Sequence, residues 1–210
     1  MGGMWVYGEA RDGQPSPVTL ELVSKAAELG EATVVFLGAG GESAAGVAGE
    51  YGAARALVDP NPVYDEHLAL PAVDALAGLI EERQPALVLF ATTYDSRDAA
   101  SRLAARLDCG VVSNATGLEA AGDGYRIITP WGANTIAVCE LTAPGTKLAL
   151  FRPKAFAPNR TGGSCPHSTL GDTPSHKREA LSRGQAICGS ERPRVADVDD
   201  VRNSLPREMA

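Results

Sequence analysis

The sequence predicts an α/β domain of Rossmann-like layout over residues 1–158 and a disordered tail over residues 159–210. Three observations support this fold class. Apolar runs alternate with segments of helical periodicity, which is typical of a mostly parallel sheet with helices on both faces. Closely spaced strands then follow with only turns between them, which predicts an antiparallel extension. Beyond residue 158 both patterns stop, and no Phe, Trp or Tyr occurs.

The first half of the domain contains three predicted strands and two predicted helices. The first helix follows Ser16, a suitable N-cap, and ends at Gly30, a suitable stop. The run ATVVFLG is β-branched and aromatic, as expected for a strand buried on both faces. In order, the predicted elements are a strand over 4–7, a helix over 18–29, a strand over 32–38, an Ala-rich helix ending near 51 and a strand over 54–58.

The second half begins with a helix over 71–83, which has apolar residues along one side. ALVLFA at 86–91 is the strongest strand signal in the chain. Ser96 is expected to cap the helix that follows, because serine is favoured at that position. The remaining predicted elements are this helix, ending near 107, and strands over 110–113, 125–129, 135–141 and 147–151.

Composition excludes several classes of protein. The net charge of −7 argues against a nucleic-acid groove. The N-terminus lacks a basic segment followed by a long apolar one, and no apolar run is long enough to span a membrane, so a cytoplasmic protein is expected. The four cysteines are widely spaced, and free thiols are the default in such a protein.

The tail differs sharply from the domain. Residues 159–210 contain three Leu, one Ile and three Val among 52 positions. Burial of so few apolar side chains cannot offset the entropy lost on ordering the segment. The tail is therefore predicted to be disordered.

The turn GAGG at 38–41 suggests a dinucleotide site. Backbone amides around Gly38, Gly40 and Gly41 would face a pyrophosphate, and Asp59 after the next strand could bind a ribose. Against this interpretation, Ser43 stands where the third glycine of the motif belongs, and the turn follows the second strand rather than the first. A plain strand-to-helix turn is favoured.

The loop after the strongest strand is a second candidate site. Thr92, Thr93, Ser96 and Arg97 are expected at the carboxyl edge of the sheet, where open α/β sheets bind ligands. The alternative is that these residues cap the helix and form a solvated turn. Both interpretations stay open for a nucleotide or a partner surface.

Catalytic and metal-binding signatures are missing. The sequence has no G-x-S-x-G, no Walker A loop and no H-E-x-x-H motif. Cys165, His167, His176 and Cys188 match no common zinc spacing. Neither catalytic residues nor a metal site are therefore predicted.

Three stretches together resemble the N-terminal domain of the electron transfer flavoprotein alpha subunit: ATTYDSRDAASRLAARLDCGVVSNATGLE, GYRIITPWGANTIAVCELT and KLALFRPKAFAP. The resemblance runs from about Met4 to about Gly163. In the family, the alpha subunit pairs with a beta subunit, and the heterodimer passes electrons from acyl-CoA and other dehydrogenases to a membrane-bound quinone oxidoreductase. The resemblance therefore implies an electron carrier of fatty acid beta-oxidation rather than an enzyme that converts a substrate.

The family cofactor is FAD, which is held mainly by a C-terminal domain of the alpha subunit. Residues 164–210 do not resemble that domain, so no FAD-binding residue carries over. We hypothesise a frameshift after Gly163, because the tail is rich in Arg, Ser and Pro; a natural tail is the rival explanation. The expected function is thus an alpha-type chain that binds the beta subunit but not FAD by itself. A stand-alone adenine-nucleotide module and a non-functional remnant remain alternatives.

Overall fold

The computed structural model describes residues 3–122, 124–132, 134–142 and 144–170. Its helices are α1 (Pro17–Leu29), α2 (Gly41–Glu50), α3 (Val63–Glu66), α4 (Leu70–Arg83) and α5 (Tyr94–Leu107). Its strands are β1 (Met4–Gly8), β2 (Ala10–Arg11), β3 (Gln14–Pro15), β4 (Ala32–Leu37), β5 (Arg55–Asp59), β6 (Leu87–Ala91), β7 (Val111–Ala115), β8 (Gly117–Ala121), β9 (Gly124–Trp131), β10 (Thr135–Glu140), β11 (Lys147–Phe151) and β12 (His167–Thr169).

Seven strands form one sheet in the order β12-β5-β4-β1-β6-β11-β7, and every neighbouring pair is parallel. β1 lies at the centre. Its Val6 is in register with Val34 of β4 on one side and with Leu89 of β6 on the other. The predicted parallel sheet is confirmed.

Helices cover both faces of this sheet, because successive residues of a strand point to opposite sides. On one face, Phe36 of β4 shares a buried cluster with Leu22 of α1 and with alanines of α2. On the other face, Phe90 of β6 shares a cluster with Leu76 of α4 and Leu103 of α5. Burial of each of these large apolar side chains contributes about 1.5–3 kcal/mol to folding.

The antiparallel strands β8, β9 and β10 form a separate three-stranded sheet. Its inner side is anchored in the main core by Leu118 and Ile127. β11 was expected to continue this extension, but it returns to the main sheet and lies parallel between β6 and β7. Four of its five residues are buried, as a central strand of a covered sheet requires.

Both ends of α1 agree with the prediction made from the sequence. The Ser16 side chain accepts the Thr19 N–H at 3.2 Å, Pro17 occupies the first turn, and Gly30 ends the helix. The predicted cap of α5 is wrong. Thr93 is the N-cap, and Ser96 lies inside the first turn, where its N–H donates to the Thr93 hydroxyl.

Residues 159–162 lie against the α/β domain, although the sequence predicts that a disordered tail begins at residue 159. The Asn159 N–H donates to Ser24 Oγ of α1 at 2.9 Å. The N–H groups of Thr161 and Gly162 both donate to the Glu50 carbonyl at the end of α2, at 2.7 and 3.0 Å. The start of the disordered segment at Asn159 is therefore corrected, while the domain boundary at 158 stays a prediction.

The same segment then adds the edge strand β12 beside β5, with His167 in register with Ala56. Residues 159–170 are held mainly by backbone hydrogen bonds, and only Cys165 and Leu170 of the segment pack against the apolar core, which explains why hydrophobic composition did not reveal them. Residues 171–210 of the predicted tail lie outside the described residues. None of the helices in the described part of the chain is long and apolar enough to cross a bilayer.

Candidate functional site

The two candidate sites predicted from the sequence lie at the same edge of the main sheet. The turn at 38–41 follows β4, and the loop at 92–97 follows β6. β4 and β6 flank β1 on opposite sides, and the chain crosses over β1 between β5 and β6. The gap between β1 and β6 is therefore the topological switch point, where open α/β sheets bind ligands.

The glycine turn after β4 is used for internal packing. The Ala39 N–H donates to the Asp65 carboxylate at 2.9 Å. Gly40 has φ +81°, and a Cβ added to it would lie 2.8 Å from the backbone nitrogen of Gly13 in the β2–β3 turn. A Cβ on Gly41 would meet Val58 Cγ1 at 2.9 Å. These contacts fit the plain strand-to-helix turn, since the turn is already covered by other parts of the chain.

The loop after β6 is organised by Glu9, which sequence reasoning did not single out. The Glu9 carboxylate accepts a hydrogen bond from the Ser96 hydroxyl at 2.6 Å and another from the Thr93 hydroxyl. Glu9 directly follows β1 and is half-buried. Its place after the first strand, at the same sheet edge as the 92–97 loop, was the signal that could have identified it.

The other predicted residues of this loop are not drawn into the same network. The Thr92 N–H donates to the Phe151 carbonyl at 2.9 Å, while Thr92 Oγ1 is buried and has no hydrogen-bond partner among the described residues. Arg97 is exposed on the first turn of α5. Within the described residues, no hydrogen bond joins the 92–97 loop to the glycine turn after β4.

Burial and neighbouring carboxylates both act on the tyrosines near this edge. Burial, followed by the negative charges of Glu9, Asp95 and Asp65, raises the pKa of Tyr7 to about 12. Burial is also the main cause that raises the pKa of Tyr64, followed by the hydrogen bond that this tyrosine donates to Asp59 at 2.7 Å. Asp59, which could bind a ribose in the dinucleotide interpretation, thus already accepts a hydrogen bond from Tyr64.

The cysteine and histidine positions do not form a metal centre within the described residues, which contain no group of three possible metal ligands. Cys165 is half-buried, and burial raises the pKa of its thiol. His167 lies in the exposed edge strand β12. His176 and Cys188 lie outside the part of the chain that the structure describes.

A different feature stands out on the antiparallel sheet. Its outer face exposes Ile136 and Val138, at 67% and 55% of their surface. Their neighbours across the strand pair are Pro130 and Ile128. An ion pair at the border of this face joins Arg126 to Glu140 at 2.8 Å. We call Ile128, Pro130, Ile136 and Val138 the outer apolar face.

Comparison with known proteins identifies the family. The family model described as "Electron transfer flavoprotein domain" matches residues 4–175. The match passes Gly163, where the sequence suggested a break, and it includes β12.

Three relatives have these similarities. The chain is 32% identical over 166 residues to the electron transfer flavoprotein subunit alpha of Syntrophomonas wolfei, covering 78% of this chain and 52% of the relative. It is 38% identical over 130 residues to the same subunit of Mycobacterium tuberculosis, covering 61% and 41%. It is 29% identical over 170 residues to Protein FixB of Clostridium saccharobutylicum, covering 77% and 51%.

The chain thus spans about half the length of the curated relatives that it matches. The extent of the family match, the parallel sheet with its separate antiparallel sheet, and the names of the relatives agree with one another. The chain belongs to the electron transfer flavoprotein family, and it is similar to the alpha subunits of that family.

Proposed function

We propose that this chain is the alpha-type partner-binding domain of an electron transfer flavoprotein heterodimer. In that role it pairs with a beta-type subunit in a cytoplasmic complex that carries electrons from acyl-CoA and other dehydrogenases towards the respiratory chain. The match of residues 4–175 to the family model is the observation that carries the proposal. The chain contributes a binding scaffold, and it converts no substrate.

The outer apolar face is the surface we assign to the beta-type subunit. Exposed apolar patches bordered by polar groups mark protein interfaces in soluble proteins. Ile136 and Val138 supply the apolar centre, and the pair Arg126–Glu140 supplies part of the polar border. The opposite side of the same sheet is already buried through Ile127 at 1% exposure, so the outer side is the one free to meet a partner.

Complex formation tests this assignment. The full chain is mixed with the beta-type subunit from the same genome, and the dissociation constant is measured by calorimetry or by an optical biosensor. Val138→Lys is expected to weaken binding by roughly tenfold or more, because a charge would be buried in the centre of the interface. The matched control is Leu68→Lys, since Leu68 is 80% exposed and lies before α4, outside the antiparallel sheet.

Two results would contradict the assignment. One is native-like affinity of the Val138→Lys variant with an unchanged melting temperature. The other is an equal loss of affinity in Leu68→Lys, which would place the interface elsewhere. Failure of the native chain to bind any beta-type subunit would remove the proposed function itself.

FAD is the cofactor of the family, and the described residues do not fit it. Holding FAD requires backbone amides around a pyrophosphate and a wall against the flavin ring. The glycine turn has its Ala39 amide on Asp65 and is covered at Gly40, and the switch point is lined by carboxylates. We therefore propose that this chain alone binds FAD weakly at most.

The visible absorption spectrum after gel filtration tests the flavin proposal. The chain purified alone is expected to be colourless, and mixing it with the beta-type subunit is expected to give a complex without functional flavin. A stoichiometric flavin band on the isolated chain would overturn the proposal and would direct attention back to residues 38–41 and 92–97.

A further inference from the structure

The carboxyl edge of the main sheet has the layout of an anion site. The helices that begin there include α2 and α5, which follow β4 and β6 on either side of β1. The first N–H groups of a helix have no partner within the helix, and the helix dipole favours a negative charge beside them. In sheets of this kind a phosphate group commonly fills that position.

At α5 the negative charge comes from the protein. The Glu9 carboxylate binds the hydroxyls of Thr93 and Ser96, which are the N-cap and a first-turn residue of the helix. The Thr93 hydroxyl in turn accepts the Ser96 N–H at 3.2 Å. Glu9 also donates its own N–H to Thr19 Oγ1 of α1 at 3.0 Å, which anchors the backbone from which the carboxylate extends.

A second carboxylate lies at the turn before α2. Asp65 of α3 accepts the Ala39 N–H at 2.9 Å. A Cβ on Gly38 would come within 2.8 Å of Asp65 Oδ1, so the carboxylate is packed directly against the turn. The β2–β3 turn closes the other side, because Gly13 is in contact with Gly40.

We propose that Glu9 and Asp65 are internal anions that take the places of phosphate groups and keep phosphate-bearing ligands out of the switch point. The proposal goes beyond the partner-binding function, since it explains why an α/β domain with this edge works as a scaffold without its own nucleotide. An incoming phosphate would meet these two carboxylates in a region that is already negative, since the charges of Glu9, Asp95 and Asp65 add to burial in raising the pKa of Tyr7. Repulsion between like charges opposes the binding of a phosphate there.

Removal of one carboxylate at a time tests the proposal on the full chain. The variants are Glu9→Ala, Glu9→Gln and Asp65→Ala, and the probes are inorganic phosphate and adenosine 5′-monophosphate. The melting temperature is measured in buffer with and without about 20 mM probe. The native chain is expected to show no rise, and Glu9→Ala and Asp65→Ala are each expected to show a rise of roughly 3 °C, as weak binding to the folded state would give.

Glu28→Ala is the matched control, because it also removes one carboxylate from the chain but lies near the far end of α1, paired with Lys25. It should show no probe-dependent rise. Glu9→Gln keeps the size of the side chain, so it remains informative if Glu9→Ala does not fold; a smaller rise in the same direction is expected. Circular dichroism establishes that each variant is folded.

The proposal is overturned if the folded variants gain no more from phosphate than the native chain does. It is also overturned if Glu28→Ala gains as much, because the effect would then be one of net charge. Binding of the beta-type subunit is measured with the same variants in phosphate-free buffer, so that a failure here is distinct from a failure of the partner-binding function.

Discussion

Gly49 and Cys165 approach each other so closely that a Cβ added to Gly49 would lie 2.4 Å from the backbone nitrogen of Cys165. Gly49 is buried in the last turn of α2, and Cys165 lies between the anchored residues 159–162 and strand β12. The contact is made with backbone, which cannot rotate away as a flexible side chain can. The segment around Cys165 can therefore cross α2 at this distance only because residue 49 is a glycine, which has no side chain.

The first prediction follows from this contact. Gly49→Ala should displace the segment that leads into β12 and lower the free energy of unfolding by about 1–3 kcal/mol, as overpacking does in other proteins. Urea unfolding measures the loss. Hydrogen exchange at Thr161 and Gly162 should become faster, because their bonds to the Glu50 carbonyl depend on the same segment.

Gly46→Ala is the control for that prediction. Gly46 lies in the same helix, and a Cβ there would meet nothing within 4 Å. The substitution should stabilise the protein by about 0.5–1 kcal/mol, since alanine favours the helix. If the two variants changed the free energy of unfolding equally, the close approach of Cys165 to Gly49 would make no difference to stability.

The second prediction concerns alkaline pH. The pKa of Tyr7 is raised from 10.0 to about 12 in the folded protein, so the folded state holds this proton more tightly than the unfolded chain does. The resulting stabilisation is complete below pH 10 and is lost as the pH rises from 10 to 12. It amounts to roughly 3 kcal/mol.

Tyr7→Phe should therefore reduce the fall in unfolding free energy between pH 10 and 12, measured by urea unfolding at several pH values. Tyr94→Phe serves as the control, because Tyr94 is 90% exposed at the start of α5. If the native protein and Tyr7→Phe lose stability in parallel over this range, the buried hydroxyl does not contribute as described.

The third prediction concerns the junction between the two sheets. Thr129 of β9 is buried, and its hydroxyl lies 3.2 Å from the carbonyl oxygens of Ser113 and Asn114 in β7. Thr129→Val should cost about 1 kcal/mol and should speed hydrogen exchange in β9. Thr135→Val is the control, since Thr135 is exposed on β10. A change of equal size in both variants would assign the loss to the strand rather than to the junction.

The parallel sheet and its helices were predictable, because long apolar runs and helical periodicity are local signals. The position of β11 in the sheet was not predictable, because its apolar pattern indicates that the strand is buried but does not indicate which strands it pairs with. The edge strand β12 was not predicted from the sequence, for a different reason. It is held by backbone pairing with β5, and its residues are exposed.

Sequence reasoning placed the 92–97 loop at the carboxyl edge of the sheet, and the 38–41 turn lies at the same edge, but the sequence did not reveal the groups that contact these two loops. Glu9 and Asp65 lie far from their partners along the chain, at separations of 84 and 26 residues from Thr93 and Ala39. No local pattern marks such a contact. Whether residues 38–41 or 92–97 bind a ligand stays a prediction that the phosphate experiment addresses.

The position of β11 has a consequence for the nascent chain. β7 is synthesised before the strand that must separate it from β6. At about 5–20 residues per second, roughly 2–7 seconds pass on the ribosome between the completion of β7 and that of β11. During that interval β6 presents an open apolar edge that other chains could join. The half-made protein, more than the finished one, is therefore the form that needs protection from aggregation.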